Sequence, residues 1–211
     1  MTTFLFDFDG TIADSLAAIV AITNELAPEF GYRPTPLAEV EALKGLTARQ
    51  LIHYSGIPLL KIPALLRRLR AELRRQSQQI PACAGMPAII QDLHQRDCSL
   101  AVVTSNTPEV VWAFLAAQGL EHCFLSVDGS GTLFRKGKLI VKCLERHQFD
   151  LAATVYVGDE VRDIEAARFA GIRAVAVTWG FNSREALAAA APDWLIDHPE
   201  ALGAIVLHPF P

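Results

Sequence analysis

Phe4-Leu5-Phe6-Asp7-Phe8-Asp9-Gly10-Thr11-Ile12-Ala13-Asp14-Ser15 is an apolar run that carries two carboxylates one residue apart and is broken by Gly-Thr. Read as a strand, it sends alternate side chains to opposite faces, so Asp7 and Asp9 point one way and Phe6 and Phe8 the other. Each carboxylate raises the cost of ionising its neighbour unless a cation lies between them. The pair therefore asks for a metal.

Around this stretch the composition is that of a packed globular protein. The chain has 211 residues, 51% of them hydrophobic and 20% charged, enough for one core or one core with a small insertion. A formal net charge of −4 argues against a nucleic-acid partner. Cys83, Cys98, Cys123 and Cys143 are too scattered for a zinc or redox pair and read as buried free thiols. His53, His94, His122, His147, His198 and His208 form no metal-ligand pattern in sequence. No secretory leader and no long apolar span are evident, so the expected location is cytoplasmic, with no membrane partner.

Downstream, Ser15 is positioned to cap a helix through Leu16, Ile19, Val20, Ile22 and Leu26, which Pro28, Gly31, Pro34 and Pro36 should end. From Leu37 to about Gln79 the pattern stays helical, so residues 15–80 read as a small all-helical cap inserted after the first strand. Residues 1–14 and 81–211 make the core. There, strands Leu100–Thr104, about Phe124–Asp128, Thr154–Gly158 and Ala174–Thr178 alternate with helices near Met86–Gln95, from Pro108, Lys138–His147 and up to Gly171. Short β-branched runs separated by helices predict an α/β, doubly wound, Rossmann-like parallel sheet.

Ligands of such sheets bind beyond the carboxyl ends of the strands. Here those ends read Asp7-Phe8-Asp9-Gly10-Thr11, Thr104-Ser105-Asn106 and Gly158-Asp159-Glu160. A hydroxyl or acid at one strand end is commonly a cap or turn former; three polar ends together point to a site.

Asp7-Phe8-Asp9-Gly10-Thr11-Ile12 resembles the first motif of the haloacid dehalogenase-like hydrolases, and Gly158-Asp159-Glu160-Val161-Arg162-Asp163 resembles their fourth. The resemblance spans nearly the whole chain and is closest to the phosphoglycolate phosphatase-like branch. It implies a phosphatase of a small phosphorylated metabolite, phosphoglycolate first, working as a monomer or homodimer. Phosphate monoester hydrolysis needs accelerations approaching ~10²¹, so neutralising and positioning charge must dominate. The family's mechanism would make Asp7 the nucleophile that forms an aspartyl-phosphate, and Asp9 the acid and base. Mg²⁺ would be held by Asp7, Asp159 and the main-chain carbonyl of Asp9. Asp163 either supports it through water or is a first-turn acid favoured by the helix dipole. Glu160, where many relatives carry Ser or Thr, is read as a structural partner of an arginine such as Arg162.

For the phosphate, the resemblance offers Thr104, which directly ends its apolar run, or Ser105, with backbone N–H groups of Gly10 and Thr11. For the lysine, Phe134-Arg135-Lys136-Gly137-Lys138 offers Lys136, at the expected distance, or Lys138. Lys44-Gly45-Leu46-Thr47 resembles a cap loop that closes over substrate, though a plain helix break reads equally well. Lys61, Arg67, Arg68, Arg70, Arg74 and Arg75 concentrate positive charge in the cap. A solvated face opposite Leu65, Leu66, Leu69 and Leu73 explains this better than substrate steering. The rival readings are a phosphomutase and a non-catalytic protein that binds a phosphorylated ligand.

Overall fold

The computed structural model describes residues 1–46, 48–76, 79–129 and 136–205; Thr47, Arg135 and His208 lie outside them. The elements run β1 (Thr3–Phe6), α1 (Leu16–Phe30), α2 (Leu37–Leu43), α3 (Ala48–Ser55), α4 (Ile62–Gln76), α5 (Met86–Gln95), β2 (Ser99–Thr104) and α6 (Pro108–Ala117). They continue with β3 (Ser126–Gly129), α7 (Lys136–His147), β4 (Thr154–Gly158), α8 (Val161–Ala170), β5 (Arg173–Val177), α9 (Arg184–Ala189) and β6 (Trp194–Ile196).

The strands form one parallel sheet in the order β3-β2-β1-β4-β5-β6, with Phe4 paired to Leu100 on one side and Val155 on the other. Chain order reverses direction at β1, and such a reversal leaves a crevice beyond the strand ends. The strands' alternation divides the core in two. Phe4, Phe6, Val102, Val157 and Val177 meet residues of α1, α5 and α6 on one face. Leu5, Val103, Tyr156 and Ala176 meet α7, α8 and α9 on the other. Sheets covered on both faces need runs this continuously apolar.

Four details differ from the sequence reading. β1 ends at Phe6, so Asp9 sits in a loop rather than a strand. Pro28 lies inside α1, which continues to Phe30 and stops at left-handed Gly31, whose N–H donates to Ala27 O at 2.8 Å. Ser15 occupies the N-cap position of α1 but makes no side-chain cap bond. Finally, α7 begins at Lys136, and α9 and β6 add a helix and an edge strand that the periodicity did not announce.

Among the described residues between β1 and α5 the elements are all helices, with α4 packed against α1. The outgoing and returning segments run side by side, through an antiparallel bridge between Ala13 and Ala82. Asp14 N–H donates to Pro81 O at 2.9 Å and Cys83 N–H to Ile12 O at 2.8 Å. On α4, Arg68 pairs with Glu29 and Glu72, and Arg75 with Glu72, while Leu73 is buried. Arg67, Arg68, Arg74 and Arg75 are exposed, whereas Arg70 is half-buried.

Candidate active site

Asp7 follows β1 directly, and its N–H donates to Val157 O at 2.8 Å, continuing the ladder one residue past the strand. Asp159 follows β4 in the same way. Because β1 and β4 are neighbours in register, their carboxyl ends deliver the two acids to one point. Asp163, in the first turn of α8, completes a buried group of three carboxylates whose oxygens lie within 4.8 Å of one another.

Lys136 enters this group from the first turn of α7. Its Nζ lies 2.5 Å from Asp7 Oδ2 and 2.5 Å from Asp163 Oδ1, and 5.7 Å from the centre of the Tyr156 ring. Burial would strip its proton, but the Asp163 and Asp7 carboxylates outweigh that and hold its pKa above the ordinary lysine value. Lys138 is exposed, and of the two lysines Lys136 is the one brought to the acids.

The acids feel the opposite pressure. Burial, then Glu160, Asp163 and Asp7, raise Asp159 well above the carboxylate range. Burial pushes Asp163 to about 6 against the pull of Lys136. Asp9, half-buried at the mouth, is pushed to about 6 by desolvation and the charge of Asp7, opposed by Ser15, Asn106 and Lys136. Acids held at this cost around one lysine form an oxygen-only donor set short of positive charge. That chemistry fits a hard divalent cation such as Mg²⁺.

Three glycines make the packing possible. A Cβ on Gly180 or Gly10 would overlap the Asp159 carboxyl group, and one on Gly158 would lie 2.5 Å from Asp163 Cβ. Gly10 also has a φ of 77°, in the left-handed region that favours glycine.

Several expected roles change. The N–H groups of Gly10 and Thr11 do not face an open site: they donate to Ala13 O at 2.8 Å and Phe8 O at 3.3 Å, closing the loop on itself. The Thr11 hydroxyl instead donates to Asp159 Oδ1 at 2.8 Å. Among the described residues, the N–H groups of Phe8 and Asp9 make no backbone hydrogen bond. Asp163 accepts the Glu160 N–H at 3.0 Å and forms a capping box with Glu160, so it serves the helix start as well as Lys136. Glu160 pairs with Arg162, the structural role expected for it.

Thr104 ends β2 fully buried, and its hydroxyl oxygen accepts the Asn106 N–H at 3.1 Å; Ser105 is partly exposed beside it. Asn106, absent from the sequence-derived site, donates from Nδ2 to Asp9 Oδ2 at 3.3 Å. Lys44 pairs with Glu41 at 3.2 Å rather than with a site acid, and Gly45 has room for a Cβ.

The segment after β5 was missed entirely. Phe181 N–H donates to Asp159 Oδ2 at 2.8 Å, and Trp179 Nε1–H to Thr11 O at 3.1 Å. Asn182 joins both halves of the site. Its Nδ2 donates to Lys44 O at 3.0 Å and Leu46 O at 3.2 Å, while its Oδ1 accepts the Val161 N–H at 2.9 Å. Its own N–H donates to Asp159 O at 3.2 Å, and Ser183 N–H reaches Lys44 O at 2.8 Å. The only advance sign was Thr-Trp-Gly-Phe-Asn-Ser, a polar and glycine-containing run at another strand's carboxyl end.

Comparison with known proteins agrees with this architecture. Residues 4–177 match the family model of haloacid dehalogenase-like hydrolases. A phosphoglycolate phosphatase of Synechococcus elongatus is 38% identical over 202 residues, covering 96% of this chain and 95% of that protein. One of Vibrio cholerae is 31% identical over 215 residues, with 96% and 95% covered. Among solved structures, a predicted phosphatase from Clostridium acetobutylicum has the same fold, with a TM-score of 0.84 at 21% identity over 96% of each chain. The chain belongs to the haloacid dehalogenase-like hydrolase family, in its phosphoglycolate phosphatase-like branch.

Proposed function

We propose that the protein is a Mg²⁺-dependent phosphatase that cleaves a small phosphorylated metabolite, phosphoglycolate first, through an aspartyl-phosphate on Asp7. The observation that carries this reading is the buried Asp7–Lys136–Asp163 chain beside Asp159, with Asp9 at its mouth. The substrate choice rests on the relatives named phosphoglycolate phosphatase.

Asp7, Asp159 and the main-chain carbonyl of Asp9 would hold Mg²⁺, with Asp163 behind Lys136. Bound there, the ion neutralises phosphate charge and relieves the repulsion among the acids. Lys136 offsets the charge of Asp7 and the incoming phosphate, so that one anion can approach another. Phe8 N–H, Asp9 N–H and the Thr104 hydroxyl orient the phosphoryl oxygens. An Asp7 carboxylate oxygen attacks phosphorus as the ester oxygen departs with a proton from Asp9. Asp9, now ionised, takes a proton from the water that attacks the phosphorus of the intermediate, which releases phosphate and restores Asp7. A pKa near 6 suits a group that must give and regain a proton around neutrality. The helices of residues 15–80 act as the lid over this reaction.

A panel of phosphate esters assayed with Mg²⁺ and with chelator tests the proposal. Phosphate release is expected to be fastest from phosphoglycolate and abolished by chelator. Turnover insensitive to chelator, or none on any ester, would contradict it.

A further inference from the structure

Scattered along the sequence, the histidines and cysteines carry no metal-binding spacing, yet the fold gathers three of them. His94 lies in the last turn of α5, and His122 and Cys123 form the 3-10 turn Glu121–Cys123 that leads into β3. One ligand atom from each lies within 4.8 Å of the others. His122 Nε2 stands 3.5 Å from Cys123 Sγ, and the two imidazoles meet edge to face at 5.6 Å. In a zinc tetrahedron, bonds of about 2.0–2.1 Å to nitrogen and about 2.3 Å to sulfur place neighbouring N and S atoms about 3.6 Å apart. The His122–Cys123 edge already has that length.

Burial and exposure are divided as such a site requires. Cys123 is buried in its turn, whereas both imidazoles are exposed. The other soft-ligand group, Asp128, Cys143 and His147, already holds the Arg146 guanidinium against Asp128 and has no comparable place for a cation.

We propose that His94, His122 and Cys123 form a site for one soft divalent transition metal, zinc in preference, with a fourth position open to solvent. On binding, the Cys123 thiol gives its proton to solvent and the thiolate bonds the metal. The hard-oxygen site lies past the carboxyl ends of the strands, whereas α5 and the 3-10 turn lead into the amino ends of β2 and β3. Strand β2 spans six residues, about 20 Å, between the two edges. Metal here ties the end of α5 to the approach to β3 and stabilises the fold without entering the reaction.

Cobalt(II) is the probe, added to the full-length protein in excess Mg²⁺ so that the buried acids are occupied. A near-ultraviolet thiolate-to-cobalt charge-transfer band should saturate at a single equivalent and disappear on adding zinc; carboxylates alone give no such band. Cys123→Ser should abolish it. His94→Ala changes only an exposed side chain and should weaken cobalt affinity about tenfold or more while phosphate release with Mg²⁺ stays unchanged. Absence of the band, or a band unaltered in both variants, would overturn the assignment. The band does not depend on turnover, so its failure is separable from failure of the phosphatase reading.

Discussion

Asp9 and Asp159 are both raised, and each leads to a measurable consequence. Between its ordinary value of 3.8 and about 6, folded Asp9 holds a proton that the unfolded chain has released. The folded state then binds more protons, so its stability decreases as pH rises through that window. Melting of the metal-free protein should accordingly fall between about pH 4 and about pH 6, and Asp9→Asn should flatten this slope. An unchanged slope in the variant would refute the assignment. Asp159 is destabilised as an anion by burial and then by its acidic neighbours. Asp159→Asn keeps an oxygen for the Phe181 N–H and can donate to the Thr11 hydroxyl oxygen. It should raise the metal-free melting temperature while removing the Mg²⁺-induced shift and activity. Lys136 is the converse case: Lys136→Met leaves two buried carboxylates without their cation and should cost about 3–5 kcal/mol in denaturant unfolding of the metal-free protein.

At the level of elements, the loop after β5 ties the acid-bearing ends of β4 and α8 to the carbonyls of Lys44 and Leu46 through Asn182. Asn182→Asp keeps the acceptor for Val161 N–H but turns two donors into repulsion against carbonyl oxygens. It should raise KM more than it lowers kcat, together with about 1–3 kcal/mol lost in thermal unfolding. Equal kinetics would show that the contact does not hold the lid. This loop also marks where sequence reading stopped. Asp7 and Asp159 were legible because two strand ends bring them together by topology, whereas Lys136 was offered beside Lys138 only by its spacing in the family resemblance. Asn182 and Phe181 act through turn geometry, which has no period, and the proposed donors at Phe8 and Asp9 depended on where Gly10 and Thr11 spent their N–H groups. His94 and His122 met only through packing of α5 against the turn before β3.

For the molecule as a whole, the continuously apolar runs of β1, β2 and β4 made the doubly wound sheet readable, because each strand must be apolar on both faces. The short β6, with its half-buried residues, lacked that signal. No helix among the described residues is long and apolar enough to cross a membrane. The sheet aims both Asp7 and Asp159 into one crevice, and the proposed lid is the helical segment between β1 and α5, whose Lys44 and Leu46 carbonyls Asn182 holds. Everything then depends on Asp7 being the group that accepts phosphorus. The most direct measurement is rapid quenching of turnover on phosphoglycolate with Mg²⁺, followed by mass analysis of the peptide that carries Asp7. The account predicts an added phosphoryl group on Asp7, lost in Asp7→Asn together with about 10⁴-fold or more of phosphate release. Robust Mg²⁺-dependent release by Asp7→Asn, with no phosphoryl group on the Asp7 peptide of the parent, would contradict it.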